Sequence, residues 1–192
     1  MIKYAIVGNI ASGKSTMEKI LENHGFVVLD TDLMAHDILI DNPKITETFK
    51  EYDVFEYGRL SRDKLGKLVF NNEELKTKLE NIMHPLIKNE IETAFETFKD
   101  ETCIFIAVPL LFEVHWESMF DKIVLVYSDD DVRLNRLVER NGYDVEYAKK
   151  RLLSQLPQDE KLDKSDYVIY NNGTIQDFEG AIQKFISKVS NI

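Results

Sequence analysis

Nine residues near the start carry the clearest chemistry. Gly8-Asn9-Ile10-Ala11-Ser12-Gly13-Lys14-Ser15-Thr16 fits G-x-x-x-x-G-K-[ST], a loop whose backbone N–H groups cradle phosphates. Gly8 and Gly13 allow backbone conformations that a side chain would forbid. Lys14 is the cation for the β- and γ-phosphates, and the Ser15 hydroxyl is an oxygen ligand for Mg²⁺. Ala11, Ser12, Gly13, Lys14, Ser15 and Thr16 are therefore expected to hold the triphosphate of a nucleotide, read here as ATP. The context fits as well. Ile2–Val7 reads as a buried strand, and Met17–His24 as a helix stopped by Gly25. The positive end of that helix favours anions.

A donor site needs an acceptor. Asp30-Thr31-Asp32 closes a second apolar run, residues 26–29. Ligands of open α/β sheets gather at the carboxyl ends of strands. A carboxylate there can take the proton of an attacking hydroxyl or hold a magnesium-bound water. Either Asp can also serve only as the cap of the next helix, and the residues alone do not choose between them.

Arginine is the scarcer cation, six residues against eighteen lysines, and five fall in two clusters. Arg133, Arg136 and Arg140 stand at i, i+3 and i+7, hence on one helix face. Such arginines can neutralise charge on a transferred phosphoryl group. The plainer expectation for each is a solvated charged face paired with acids such as Glu139. Arg59 and Arg62 flank a turn at residues 57–61. His84-Pro85 reads as a turn, and Glu113 as a helix cap or an active-site acid. No Cys/His cluster has zinc spacing.

These residues need a frame. Strands are expected near 2–7, 26–29, 103–108, 122–127 and 166–170. Helices are expected over 33–40, 61–70, 73–83, from Pro85 to Lys99, 130–141, 144–154 and 176–189. The pattern predicts an α/β fold of three layers, a parallel five-stranded sheet with helices on both faces. One domain is expected for 192 residues, with a core of about 1–30, 101–127 and 166–192. A helical insertion would fill about 31–100, and a second helical excursion, a lid, about 128–165.

Composition narrows the partners. A net charge of −10 argues against a nucleic-acid footprint. No run approaches the ~20 apolar residues of a membrane span. The chain is expected to start directly into a strand, with no signal peptide, and its lone Cys103 lies in an apolar run. A cytoplasmic protein is expected, a monomer or weak homo-oligomer, with Cys103 in the core.

Taken together, the motifs resemble those of the dephospho-CoA kinase family, nearly end to end. The shared stretches are residues 8–16, Val28-Leu29-Asp30-Thr31-Asp32, Gly58-Arg59-Leu60-Ser61-Arg62, His84-Pro85 and Val108-Pro109-Leu110-Leu111-Phe112-Glu113. Later come Arg136 with Arg140, Arg151 with Gln155, and Asp166-Tyr167-Val168-Ile169 with Asn171 and Gly173. The resemblance implies a P-loop kinase fold and one reaction: ATP phosphorylates the ribose 3′-hydroxyl of dephospho-CoA, giving coenzyme A and ADP, with Mg²⁺. It implies Asp32 as general base, with Lys14 and Arg140 also catalytic. Arg136 and Asn171 would bind ATP, Asn171 near the adenine. Arg62 and His84, with Asp32, would bind dephospho-CoA on the insertion. The family commonly has Gly at positions 9 and 11. Asn9 is compatible with left-handed backbone, and Ala11 is a small residue at a variable position. Gln is common at 133, so no role passes to Arg133. The alternative is a P-loop kinase of another small acceptor, such as a nucleoside, nucleotide or hydroxy acid. A nucleotide-dependent switch would usually carry a D-x-x-G element at a strand end, and none is found.

Overall fold

A computed structural model describes residues 1–190, with the backbone only at Asp41. The final two residues of the 166–192 core segment lie outside the described residues. In chain order the elements are β1 (Ile2–Val7), α1 (Lys14–Asn23), β2 (Val27–Asp30), α2 (Thr31–Asp41), α3 (Pro43–Phe49), β3 (Phe55–Glu56) and β4 (Arg59–Leu60). Then follow α4 (Arg62–Phe70), α5 (Glu73–Thr97), β5 (Cys103–Ala107), a 3₁₀ turn at Glu117–Met119 and β6 (Lys122–Tyr127). The chain ends with α6 (Asp130–Asn141), α7 (Val145–Leu153), α8 (Asp159–Leu162), β7 (Tyr167–Tyr170) and α9 (Ile175–Val189).

The chain divides into two compact units, Met1–Leu29 with everything from Phe98 onward, and Asp30–Thr97. The first holds the five-stranded sheet, in the order β2-β5-β1-β6-β7. Neighbouring strands run parallel. Tyr4 stands opposite Phe105 and Lys122, and Val124 opposite Tyr167. The central strands are apolar runs because both faces are covered. Every residue of β5 is buried, and Tyr4 and Ala5, which point to opposite faces, are both at 0% exposure.

On one face, alternate residues Tyr4, Ile6, Phe105, Ala107, Val124 and Val126 meet Met17 and Leu21 of α1 and Phe178, Ile182 and Phe185 of α9. Tyr4 stacks on Phe105 at 4.8 Å between ring centroids, and Phe185 meets Tyr4 edge-on at 6.1 Å. Cys103 belongs to this core, and burial pushes its thiol up to about 11. Helix α9 opens with a capping box, Thr174 and Asp177 bonding reciprocally.

The second unit is helical apart from the small β3–β4 hairpin, whose turn is Tyr57-Gly58. Helix α5 spans twenty-five residues and passes straight through Pro85. This corrects the break expected at His84-Pro85. Proline removes one intrahelical hydrogen bond and costs about 3 kcal/mol. The apolar stripe of Ile82, Met83, Ile87, Ile91, Ala94 and Phe95 is buried along the helix and offsets that loss. Residues 43–49 form a further short helix, with Asn42 capping the N–H groups of Lys44 and Ile45. Ser61 occupies the N-cap position of α4 but makes no side-chain cap bond.

Candidate active site

The donor loop runs from the end of β1 into α1. Gly8 is packed from two sides. A Cβ there would stand 2.6 Å from Ser12 Oγ and 3.0 Å from the Val126 carbonyl. The loop then folds back, and Ser12 N–H donates to Asn9 O at 3.0 Å. Ala11 takes left-handed backbone at φ 63°, and Gly13 at φ 103°. Asn9 is not among the left-handed residues, so the tolerance expected of Asn9 is used instead by Ala11. Gly13 is the N-cap of α1 and offers no side-chain cap. Thr16 and Met17 N–H donate back to Gly13 O at 3.0 and 3.2 Å. A helix start without a side-chain cap, led by glycine, suits an anion.

Lys14 projects from the first turn, and its Nζ lies 2.8 Å from Glu18 Oε1 one turn on. Both side chains are largely buried, at 14% and 12% exposure. Glu18 had no sequence signal beyond its i, i+4 spacing. Ser15, on the same turn, is exposed. Among the described residues no group of three His, Cys, Asp or Glu side chains is placed to hold a metal ion. The Ser15 hydroxyl is an oxygen donor of the kind a hard cation such as Mg²⁺ takes.

Behind the loop lies a bracing layer. Asn171, just after β7, donates its amide to Ser12 O at 2.7 Å. Ser128, just after β6, is fully buried, with Oγ 2.7 Å from Asn171 O and 3.1 Å from Ser12 O. Arg136 of α6 joins them all. One guanidinium nitrogen donates to Ala11 O (3.3 Å) and Ser128 Oγ (3.1 Å), the other to Asn171 O (2.9 Å) and Oδ1 (3.1 Å). Burial lowers the Arg136 guanidinium from its ordinary value. Gln158 ties Ser128 from the far side, its amide donating to Ser128 O at 2.6 Å. Ser128 and Gln158 escaped sequence reasoning. The only signal for Ser128 was its place at a strand's carboxyl end.

The three arginines of α6 occupy three settings. Arg133 is buried and bonds Asp130 at 2.6 Å, so it is not a solvated surface residue. Arg136 joins the brace. Arg140 is exposed in the last turn, its Nε bonded to Asn141 Oδ1 at 2.9 Å. Close to Arg133 lies Lys161, at 0% exposure and 3.1 Å from Glu113 Oε1. Burial lowers the Lys161 ammonium, Glu113 opposes that, and the Arg133 charge adds to the lowering.

In the second unit Asp30 accepts the Asp32 N–H at 2.8 Å and so caps α2. Asp32 is exposed in the first turn of that helix. Arg62 begins α4 and is exposed, and His84 is half-buried midway along α5. Helix α2 packs on α5. Of the residues singled out in the sequence, the structure brings together those of the loop with Arg136 and Asn171. Asp32, Arg62 and His84 sit on separate helices of the other unit.

A family model described as dephospho-CoA kinase matches residues 2–177. A dephospho-CoA kinase of Carboxydothermus hydrogenoformans is 37% identical over 189 residues, covering 95% of this chain and 92% of its own. One of Fusobacterium nucleatum is 38% identical over 187 residues, 96% of each. Among solved structures, the dephospho-CoA kinase of Campylobacter jejuni superposes with a TM-score of 0.79 at 32% identity, covering 98% of this chain and 97% of that one.

Proposed function

The chain belongs to the dephospho-CoA kinase family, and from that premise we propose how its residues carry the family's reaction. ATP is the phosphoryl donor and dephospho-CoA the acceptor, giving coenzyme A and ADP. The observation that supports this most is the donor loop. Left-handed Ala11 and Gly13 turn the chain into an α1 N-terminus that no side chain caps.

In the proposed mechanism Ala11, Ser12, Gly13, Lys14, Ser15 and Thr16 surround the β- and γ-phosphates. Lys14 leaves Glu18 to follow the charge of the transferred group. Asp32 accepts the proton of the ribose 3′-hydroxyl as that oxygen bonds to the γ-phosphorus. The bond from phosphorus to the β,γ-bridging oxygen breaks, and ADP departs with the electron pair. Arg140 adds positive charge from α6. Asp30 holds Asp32 at the head of α2 through the capping bond. Ser15 would hold Mg²⁺ together with the nucleotide's own oxygens, and the cation would neutralise phosphate charge. Arg136 and Asn171 serve nucleotide binding through the loop, fixing the carbonyls of Ala11 and Ser12 so that the neighbouring N–H groups face the phosphates. Arg62 and His84 contact dephospho-CoA, for which residues 31–100 form the binding subdomain, and residues 128–165 act as the lid.

A cytoplasmic enzyme acting on small molecules, a monomer or weak homo-oligomer without nucleic-acid or membrane partners, fits the acidic composition. No described helix is long and apolar enough to cross a membrane. Incubation with Mg-ATP and dephospho-CoA, with ADP and coenzyme A resolved by chromatography, tests the reading. Turnover on another hydroxyl acceptor, with none on dephospho-CoA, would remove it.

A further inference from the structure

The loop is also tied to the stretch between α7 and α8, and nothing in the transfer chemistry requires that tie. Gln155 Oε1 accepts the Ile10 N–H at 2.7 Å. In return Asn9 Nδ2 donates to Leu156 O at 2.8 Å. Asn9 is only 3% exposed, so its amide is committed inward rather than to solvent. The receiving stretch is itself fixed. Glu113 Oε1 accepts the Leu156 N–H at 3.4 Å and pairs with buried Lys161, while Gln158 grips Ser128. Two adjacent residues of the loop thus meet two adjacent residues of a braced strap, each supplying one side-chain and one backbone partner.

We propose that Gln155 and Asn9 are positioning residues for phosphoryl-donor binding, a reciprocal clamp that holds the first half of the donor loop in its nucleotide-accepting shape. Neither residue needs to touch the nucleotide. They act through the loop backbone. Ile10 immediately precedes left-handed Ala11, so the clamp restrains the residue leading into the strained turn. With the clamp gone, binding must order the loop, and the cost appears in affinity for phosphates. Acceptor binding involves neither residue.

The proposal rests on the loop being the donor site, so ADP binding to the unaltered protein is measured first, and its absence would defeat that reading rather than the clamp. Gln155→Met keeps the side chain's length and removes the acceptor. One net hydrogen bond predicts a rise of about 3- to 10-fold in KM for ATP and in Kd for ADP. KM for dephospho-CoA should hold and the melting midpoint should fall by no more than the ~2–4 °C that one hydrogen bond accounts for, whereas a general structural lesion would raise both KM values. The Ile10 amide should lose its protection from hydrogen exchange. Asn9→Ala should shift the same constants in the same direction, and it decides on the same criteria should Gln155→Met fold poorly. ATP and ADP constants within about twofold of the unaltered protein would overturn the proposal, as would equal loss for both substrates.

Discussion

Lys161 and Glu113 form an ion pair of unequal burial in the sheet-bearing unit, and the inequality predicts unequal penalties. Lys161 is fully buried, whereas the Glu113 side chain is 25% exposed. Glu113→Gln keeps an oxygen for the Leu156 N–H but leaves the ammonium buried beside Arg133 without its anion. Removing one partner of a buried pair costs about 3–5 kcal/mol, and partial solvation of the carboxylate puts this case near 3. Lys161→Met removes the buried charge and leaves a carboxylate that water can reach, so about 1 kcal/mol is expected. For a chain of this size each kcal/mol moves the melting midpoint by about 2–4 °C. Glu113→Gln should therefore lose roughly 6–12 °C, and Lys161→Met a few degrees at most, by calorimetry or circular dichroism. In the Lys161→Met background, Glu113→Gln should cost almost nothing more. The pH dependence carries a sign. A lysine lowered in the folded state binds fewer protons there than in the unfolded chain, so stability rises with pH up to the ordinary lysine range. The Glu113→Gln deficit should accordingly shrink on the alkaline side. A Lys161→Met penalty equal to or above that of Glu113→Gln, or a deficit unchanged by removing Lys161, would refute the reasoning.

Other perturbations test the remaining parts. Asp32→Asn should slow transfer by about 10²–10⁴-fold, the usual range for a general base, with ADP affinity kept, and unchanged turnover would remove Asp32 from that role. Gly13→Ala should abolish tight ADP binding by calorimetry, because its φ is 103° and its Cβ would collide with the Asn171 amide and press on Phe178. Thr174→Ala removes the N-cap of α9 and should cost about 1 kcal/mol in denaturant unfolding without changing KM for either substrate.

Much of the frame was legible because burial on both faces writes strands as unbroken apolar runs. Residues 2–7 and 122–127 coincide with β1 and β6, and 130–141 with α6. What stayed hidden depends on contacts distant in sequence. Helix α5 survives Pro85 because packing along its stripe outweighs a local preference. The β3–β4 pairing is too short to show alternation, and α8 spans only four residues. At the site, Lys14, Ser15 and Gly13 were readable from spacing, since the motif is local. The brace was not. Ser128, Gln158 and Lys161 matter through partners thirty or more residues away. Arg136 was visible as a phosphate-type cation, yet its hydrogen bonds run to loop carbonyls. Asp30 shows the capping option taken by one member of a pair whose other member carries the proposed chemistry.

The central claim is transfer from the loop-bound triphosphate to a single hydroxyl. Its most direct measurement uses ATP labelled in the γ-phosphate, supplied with Mg²⁺ and dephospho-CoA, followed by treatment of the product with a phosphatase specific for 3′-phosphates. The label should move into coenzyme A in step with ADP formation and be released quantitatively by the phosphatase. Label appearing as inorganic phosphate independently of dephospho-CoA, or in a product the phosphatase leaves intact, would contradict the account.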